Sequence, residues 1–186
     1  MTCPTLPLKP FPQKPALENF DKKELGLEWN YIQFPDANNF SLEKRDGYLS
    51  LTGSSEKIGT RYSSTFVGRR LTDLYFTATT QIEFDPKNEN EEAGLILLNN
   101  GSHFDLMIEK SNGKRFLIVK LQFGTITYKS EKITLKPGPV KLRITGKKST
   151  FSFSYAQGNN AFKDIETVDS KFLATETVGF FTGVYV

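Results

Sequence analysis

Few residues in this sequence have the side chains and spacing needed for catalysis. His103 is the single histidine, so a Ser-His-Asp triad would have to use it. Its surroundings, NNGSHFDL, are typical of a hairpin turn that enters a strand, where a lone histidine is usually a surface residue. The sequence has no HExxH or CxxC motif, no Asp-rich EF-hand loop and no glycine-rich phosphate loop. We therefore expect no catalytic residue and no metal cluster in this chain.

Paired carboxylates could cleave a glycosidic bond, which needs two acidic groups placed around it. Glu91 and Glu92 are adjacent in NENEEAGL, and neighbouring strand residues point to opposite faces, so they cannot flank one bond. We interpret residues 85–92 as a solvated acidic loop that enters a buried strand at Ala93. Three further acids are predicted to lie on an open sheet face, where sugar binding and ordinary solubility explain them equally well: Glu83, Asp105 and Glu109.

Aromatic residues are the most informative residue type. The chain has 16 Phe, 7 Tyr and 1 Trp, and aromatic rings either fill cores or stack on sugar rings. Phe180 and Phe181 stand side by side between two glycines in GFFTG, so a regular strand cannot place both in one core. One of them is a candidate for contact with another molecule, whereas Trp29 is predicted to be buried.

Apolar residues alternate with polar ones along most of the chain, which predicts an all-β fold. The segments YFTATTQIEF, HFDLMIEK, VKLRIT and TFSFSYA show this alternation, and turn signals separate them. Asn112-Gly113 is the strongest hairpin signal. We expect eleven or twelve strands and one short helical turn at residues 169–174, capped by Asp169. Many short antiparallel strands predict a β-sandwich or barrel, and the lack of an internal repeat argues against a propeller.

Length and charge narrow the function further. A chain of 186 residues suits one domain, and the net charge of +3 is dispersed, which argues against nucleic acid as a partner. No apolar run is long enough to span a membrane, and no signal peptide is visible. Cys3 is the single cysteine, so no intrachain disulfide forms and the compartment stays open. Five prolines in the first fifteen residues predict an extended linker at residues 1–16, followed by a β-sandwich domain at 17–186.

Four motifs in the order LGLEWN, FVGRRLT, EEAGL and GFFTG resemble the C-terminal domain of family 43 glycoside hydrolases, the β-xylosidases and α-L-arabinofuranosidases. The resemblance runs from about residue 8 to the end. It implies a concanavalin A-like sandwich of two curved antiparallel sheets. It also implies an upstream five-bladed propeller with three catalytic acids, none of which is in this chain, and a proline-rich linker between the two domains.

The resemblance gives the aromatic pair a role. In related xylosidases a loop of the sandwich helps to close the substrate pocket of the propeller, and the matching residues here are Phe180 and Phe181. A pocket closed at one end favours removal of terminal sugars. The expected partners are therefore the propeller domain and a xylo- or arabino-oligosaccharide, and the sequence leaves the choice of sugar open.

The sequence departs from the family pattern at its C-terminal end. Family members usually continue with a further strand beside the segment that corresponds to residues 17–21, and its absence is expected to leave an open sheet edge. Such sandwiches often hold a structural calcium near their terminal strands. Asp21 is the nearest matching acid, but the partner on the last strand is missing, so we expect no cofactor.

Two other functions fit the same fold. A free-standing carbohydrate-binding module would bind a plant polysaccharide on its concave face, and removal of a Trp or Tyr there would abolish binding. A sandwich glucanase would need two glutamates spaced along one strand in an ExDxxE-like arrangement, and no strand of this sequence has it.

Overall fold

The alternating apolar segments form strands, as the sequence predicts. The computed structural model describes residues 16–59, 64–179 and 181–186. Within these residues there are thirteen strands: β1 (Trp29–Tyr31), β2 (Phe40–Ser41), β3 (Ser50–Leu51), β4 (Val67–Arg69), β5 (Phe76–Ile82), β6 (Glu92–Asn99), β7 (Ser102–Ser111), β8 (Lys114–Phe123), β9 (Ile126–Lys129), β10 (Ile133–Thr134), β11 (Val140–Lys147), β12 (Thr150–Gln157) and β13 (Lys163–Asp169). Three of them are only two residues long, which explains why the predicted number was slightly lower.

Helical structure is limited to short turns. Two 3₁₀ turns span Ala37–Asn39 and Ser170–Leu173, and one α-helical turn, α1, spans Thr175–Val178. The carboxylate of Asp169 accepts a hydrogen bond from the backbone N–H of Lys171, as predicted for a cap of this turn. None of the helices in the described ranges has the length and apolar character needed to cross a membrane.

Two antiparallel sheets pack face to face. The strand order of one is β10-β8-β7-β6, with β9 also paired to β8, and that of the other is β13-β12-β11-β5. Two short pairs, β1 with β4 and β2 with β3, complete the described strands. This arrangement confirms the predicted β-sandwich.

The core lies between the two sheets and consists of the side chains that the alternation predicted. Val140, Leu142 and Ile144 are fully buried, and Lys141 and Arg143 between them face outward. Thirteen buried side chains form one continuous cluster: Leu97, Phe104, Leu106, Ile108, Leu117, Val119, Leu135, Val140, Leu142, Ile144, Phe151, Phe153 and Leu173.

Two tight turns fix the register of the β6–β7–β8 meander. Asn100 and Gly101 join β6 to β7, and Asn112 and Gly113 join β7 to β8; all four residues have positive φ, between 46° and 79°. Positive φ at both central residues defines the type I′ turn, whose twist suits a hairpin. The hairpin predicted at Asn112-Gly113 is therefore confirmed.

The last residues of the chain join β4 to β6. Tyr185 exchanges two backbone hydrogen bonds of 2.8 and 2.9 Å with Leu98 of β6. Val186 exchanges two of 2.6 and 2.8 Å with Arg69 of β4. The segment 184–186 thereby extends the sheet of β6–β8 across to β4 and β1. Residues 17–21 form no strand, and β5 and β13 are the two edge strands of their sheet, since β5 pairs only with β11 and β13 only with β12 among the described strands.

Candidate functional site

The segment predicted to contact another molecule, which we call the Phe181 loop (residues 179–183), is described at residues 179 and 181–183, none of which lies in a strand or helix. Phe181 is 86% exposed, whereas Phe104 and Phe153 are fully buried in the core. Phe180, the other predicted site residue, lies outside the described residues. Adjacent Phe residues were predicted to split between core and surface, and the exposure of Phe181 agrees with this for one of the two.

The turn of β6 and β7 holds the N-terminal side of the Phe181 loop. The buried side chain of Asn99 donates a 2.8 Å hydrogen bond to the carbonyl of Leu173, and Asn100 donates one of 2.9 Å to the carbonyl of Val178. The helical turn α1 then ends at Gly179, whose φ of +70° favours glycine because a Cβ would crowd the backbone. These contacts fix the direction from which the chain enters the loop.

The C-terminal side of the loop is held by sheet pairing. The backbone N–H of Leu71 donates a 2.9 Å hydrogen bond to the carbonyl of Val184, directly after the loop. The hydroxyl of Tyr185 lies 2.7 Å from Nη2 of Arg70, whose guanidinium also lies over the Tyr185 ring. The loop is thus fixed at both ends, so Phe181 is presented from a well-supported position.

An apolar cleft of about 370 Å³ opens next to the Phe181 loop, at one end of the sandwich. Leu71, Phe76 and Phe151 form part of its lining, together with Val184 from the end of the loop. Charged side chains, including Lys147 and Glu176, stand at the same opening. Such a cleft, next to the loop that carries the exposed phenyl ring, is suited to contact with another protein or a ligand.

The face of β7 that was predicted to be open is covered. Asp105 is only 6% exposed, and its Oδ1 lies 2.7 Å from Nδ1 of His103, whose side chain is also largely buried. The chain at Gly59 crosses directly above: a Cβ on Gly59 would lie 3.3 Å from the carbonyl of Gly101 and 3.7 Å from Nε2 of His103. The prediction of an open face, and of His103 as a surface residue, is therefore wrong.

The acids on this face belong to an ion-pair network. Lys120 contacts Glu92, and its Nζ lies 2.8 Å from Glu109, which in turn pairs with Lys132 at 3.0 Å. Burial alone would raise the pKa of Glu109, but hydrogen bonds from the two lysines lower it overall. Burial raises the pKa of Asp105, and its contact with His103 offsets only part of that effect. Lys120 thus contacts both glutamates, whereas Asp105 is paired with His103.

Glu91 and Glu92 are engaged separately. Glu91 accepts 2.6 Å hydrogen bonds from the backbone N–H of Lys87 and the side chain of Asn88, which closes the acidic loop. Glu92 begins β6 and contacts Lys120. The interpretation that the pair cannot flank one glycosidic bond holds. Glu83, predicted on an open face, is paired with Arg45 at 2.7 Å.

The surroundings of Asp21 carry both acidic and basic side chains. Asp21 lines a shallow cleft with Glu43 and Asp46, but Lys22 and Lys23 line it too. In the described ranges no three histidine, cysteine, aspartate or glutamate side chains come together as a metal site would require.

Trp29, predicted to be buried, is half-buried, with its ring 6.0 Å from that of Phe20.

Sequence reasoning did not identify the residues that hold the Phe181 loop. Asn99 and Asn100 were interpreted only as turn residues, and Arg70 only as part of a motif. Their partners lie 74, 78 and 115 residues away in the chain. The only signal in the sequence is that two asparagines precede Gly101 where a type I′ turn needs one.

Comparison with known proteins identifies the relatives of this domain. The sequence model of a family described as the β-xylosidase C-terminal concanavalin A-like domain matches residues 17–186. A curated relative is the non-reducing end α-L-arabinofuranosidase BoGH43B of Bacteroides ovatus, 33% identical over 188 residues. That alignment covers 98% of this chain and 35% of the relative. The xylan 1,3-β-xylosidase of a Vibrio species is 29% identical over 158 residues, which cover 83% of this chain and 29% of that enzyme.

Solved structures agree with this comparison. The Bacteroides ovatus protein described as xyloglucan PUL GH43B superposes with a TM-score of 0.90 at 32% identity, over 98% of this chain and 36% of that one. The xylan β-1,4-xylosidase of Bacillus halodurans gives a TM-score of 0.90 at 26% identity, over 98% of this chain and 37% of that one. The chain therefore spans about a third of the length of these relatives.

Proposed function

Because this chain belongs to the family of concanavalin A-like domains found at the C-terminus of family 43 β-xylosidases and α-L-arabinofuranosidases, we propose that it braces a catalytic propeller and forms one wall of its active-site pocket. The propeller would supply the catalytic acids, and the substrate would be a xylo- or arabino-oligosaccharide. The observation that carries this proposal is the 86% exposure of Phe181 on a loop that is anchored at both ends.

The wall role follows from the properties of the Phe181 loop. Covering the exposed phenyl ring with an apolar surface would be favourable, and its place on a loop anchored at both ends supports such a contact. The ring face of a sugar offers such a surface, and a wall that excludes water would strengthen hydrogen bonds to the substrate. Phe180, the adjacent residue in the chain, is included in the proposed wall. A wall at one end of the pocket would favour cleavage of terminal sugars.

The bracing role is supported by apolar residues near the start of the described chain. Leu17 is largely exposed and Leu27 fully exposed, although each would gain about 1.5–3 kcal/mol from complete burial. Exposed leucines of this kind are typical of a surface that another domain covers. Their position, just after the proline-rich segment, is where a domain encoded upstream would meet the sandwich.

A domain exchange tests both roles. In BoGH43B, the region that aligns with this chain would be replaced by residues 1–186, and a second protein would lack that region altogether. We expect the truncated protein to be poorly folded or inactive, and the exchanged protein to regain hydrolysis of an aryl α-L-arabinofuranoside. The 186-residue chain by itself should hydrolyse nothing.

Two results would reject the proposal. One is aryl-glycoside hydrolysis by the chain alone at an enzyme-like rate. The other is a truncated BoGH43B that is as stable and as active as the full-length enzyme, because a brace and wall would then have no role there.

A further inference from the structure

Two arginines of this chain lie flat on aromatic rings, and they differ in what their outer nitrogens meet. The guanidinium of Arg45 lies 3.6 Å from the ring centroid of Tyr48, and that of Arg143 lies 3.5 Å from the centroid of Phe162. Stacking holds the planar group in one orientation, so its N–H donors form a fixed fork. The two sites therefore orient an arginine in the same way, by stacking on an aromatic ring.

At Arg45 the fork is occupied by a carboxylate. Nη1 and Nη2 lie 2.7 and 3.3 Å from the two carboxylate oxygens of Glu83, and Tyr48 donates to the same carboxylate at 3.3 Å. This bidentate geometry is the one that guanidinium and carboxylate groups prefer. The contact also lowers the pKa of Glu83, which keeps that carboxylate charged.

At Arg143 the Nε atom donates a 3.1 Å hydrogen bond to Oγ1 of Thr79, which fixes the guanidinium from a second side. None of the ion pairs found in residues 16–59, 64–179 and 181–186 includes Arg143. Asp164 lies opposite Ser154 and so two strands from Arg143, at about 10 Å between backbones. The site thus has the same orientation device as Arg45 without its carboxylate.

The surroundings of Arg143 are polar and basic. Arg143 lies in the middle of the outer face of the β13-β12-β11-β5 sheet, and Lys141 and Lys147 flank it on β11. Next to it, the hydroxyls of Ser152 and Thr167 lie 3.0 Å apart, and Thr145 pairs with Ser152 across the strands. None of the large exposed apolar side chains in the described part of the chain comes from these four strands.

We propose that Arg143 binds the carboxylate of a uronic acid unit in a polysaccharide, with the neighbouring threonine and serine hydroxyls facing the sugar hydroxyls. Basic charge on β11 complements an acidic glycan, and no large exposed apolar side chain of the described residues comes from these four strands, which argues against a protein interface, whose centre is normally apolar. The choice of a polysaccharide as the source of the carboxylate rests on the proposed function. The site itself lies on a different sheet from the Phe181 loop.

The test measures binding of the full 186-residue chain by affinity electrophoresis in gels containing glucuronoxylan or the same polymer after reduction of its carboxyl groups. We expect retardation in glucuronoxylan only, weakened by added salt because exposed charges are screened. Arg143→Ala should weaken binding about tenfold, the usual scale for a lost charge-assisted hydrogen-bond pair. Arg143→Lys should recover only part of it, since lysine lacks the planar fork.

Arg45→Ala is the matched control. It removes the same charge and the same kind of stacked guanidinium, but from a site whose carboxylate is already supplied by Glu83, so binding should stay unchanged. Phe162→Leu is a second variant, for use if Arg143→Ala is poorly folded. It keeps the apolar packing but removes the ring face that orients Arg143, so it should also weaken binding.

The proposal is overturned if the reduced polymer binds as tightly as glucuronoxylan, if Arg143→Ala binds like the wild type, or if the wild type is not retarded at all. If the wild type is not retarded, a lower melting temperature of Arg143→Ala within the exchanged BoGH43B would indicate that Arg143 pairs with a carboxylate of the neighbouring domain. Hydrolysis of the neutral aryl glycoside should not depend on Arg143, because this substrate has no carboxylate. If the exchanged protein is inactive but the 186-residue chain still binds glucuronoxylan, the accessory role is rejected and the Arg143 site is not.

Discussion

The side-chain amide of Asn100 donates a 2.9 Å hydrogen bond to the backbone carbonyl of Val178, which lies 78 residues further along the chain. This contact ties the turn between β6 and β7 to the residue that precedes Gly179, where the Phe181 loop begins. The β6–β7 turn therefore supports the loop that carries Phe181, the proposed contact residue. The position of Phe181 is thus set by long-range polar contacts as well as by the local chain.

Removing the Asn100 amide should loosen this support. Asn100→Gly keeps the backbone conformation, because φ of +46° is easily adopted by glycine, but it deletes the hydrogen bond. The matched control is Asn112→Gly, in the equivalent β7–β8 turn at φ of +50°, where no described side-chain hydrogen bond uses the Asn112 amide. In urea unfolding we expect Asn100→Gly to lose about 1 kcal/mol more than the control. Equal losses would show that the amide contributes nothing.

Truncation of two phenylalanines to alanine should change the free energy of unfolding by very different amounts. Phe153 is fully buried in the central cluster, so Phe153→Ala should reduce the free energy of unfolding by about 3–5 kcal/mol through lost burial and a cavity. Phe181→Ala should change it by less than about 0.5 kcal/mol, as expected for an exposed side chain. Urea unfolding of both variants checks this. A large loss for Phe181→Ala would mean that its ring supports the fold and is not available for a partner.

Burial of Asp105 gives the stability of the domain a defined pH dependence. Because burial raises the pKa of Asp105 above its ordinary value of 3.8, the native state holds this proton more tightly than the unfolded chain does. The contribution of Asp105 is most favourable below that ordinary value and declines as the pH rises through the raised native pKa.

Asp105→Asn removes that titration and keeps a similar shape. The stability of the wild type relative to this variant should fall as the pH rises from about 3 to about 5.5. Urea unfolding at several pH values measures the difference. A difference that rises with pH over this range would show instead that His103 and Lys120 dominate and lower the pKa of Asp105.

Local patterns in the sequence were sufficient for the strands and their buried faces. Leu142 and Phe153 are buried because alternation places them on the inner face of each strand, a property of neighbouring residues alone. Asn112-Gly113 forms its turn for a similarly local reason, since both residues tolerate positive φ. The family motifs then indicated how these strands combine into a sandwich.

Contacts between distant segments were beyond such reasoning. The open face expected around Asp105 is covered because the chain near Gly59 crosses it, and no periodicity reports which loop covers which sheet. The pairing of Val186 with Arg69 and the hydrogen bond from Asn99 to Leu173 likewise depend on where the folded chain returns. These contacts define the support of the Phe181 loop, so the sequence indicated the candidate residue without the structure that positions it.

The proposed wall makes a kinetic prediction for the exchanged BoGH43B. Phe181→Ala should lower kcat/KM for an aryl α-L-arabinofuranoside about tenfold, which corresponds to about 1.5 kcal/mol of lost packing and desolvation. Phe180→Ala is expected to act in the same direction. Since Phe181 is 86% exposed, the melting temperature should stay close to that of the exchanged parent.

Phe162→Ala is the control for this measurement, because Phe162 packs on Arg143 at the outer face of the other sheet and should leave kcat/KM unchanged on a short neutral substrate. Loss of a wall that acts in the transition state should lower kcat, whereas loss of a wall that binds ground state and transition state equally should raise KM. Either outcome fits a residue that meets the substrate. Unchanged kinetic constants in both Phe180→Ala and Phe181→Ala would remove the pocket wall and leave only the brace, because no contact that shapes the pocket can be deleted without changing one of them.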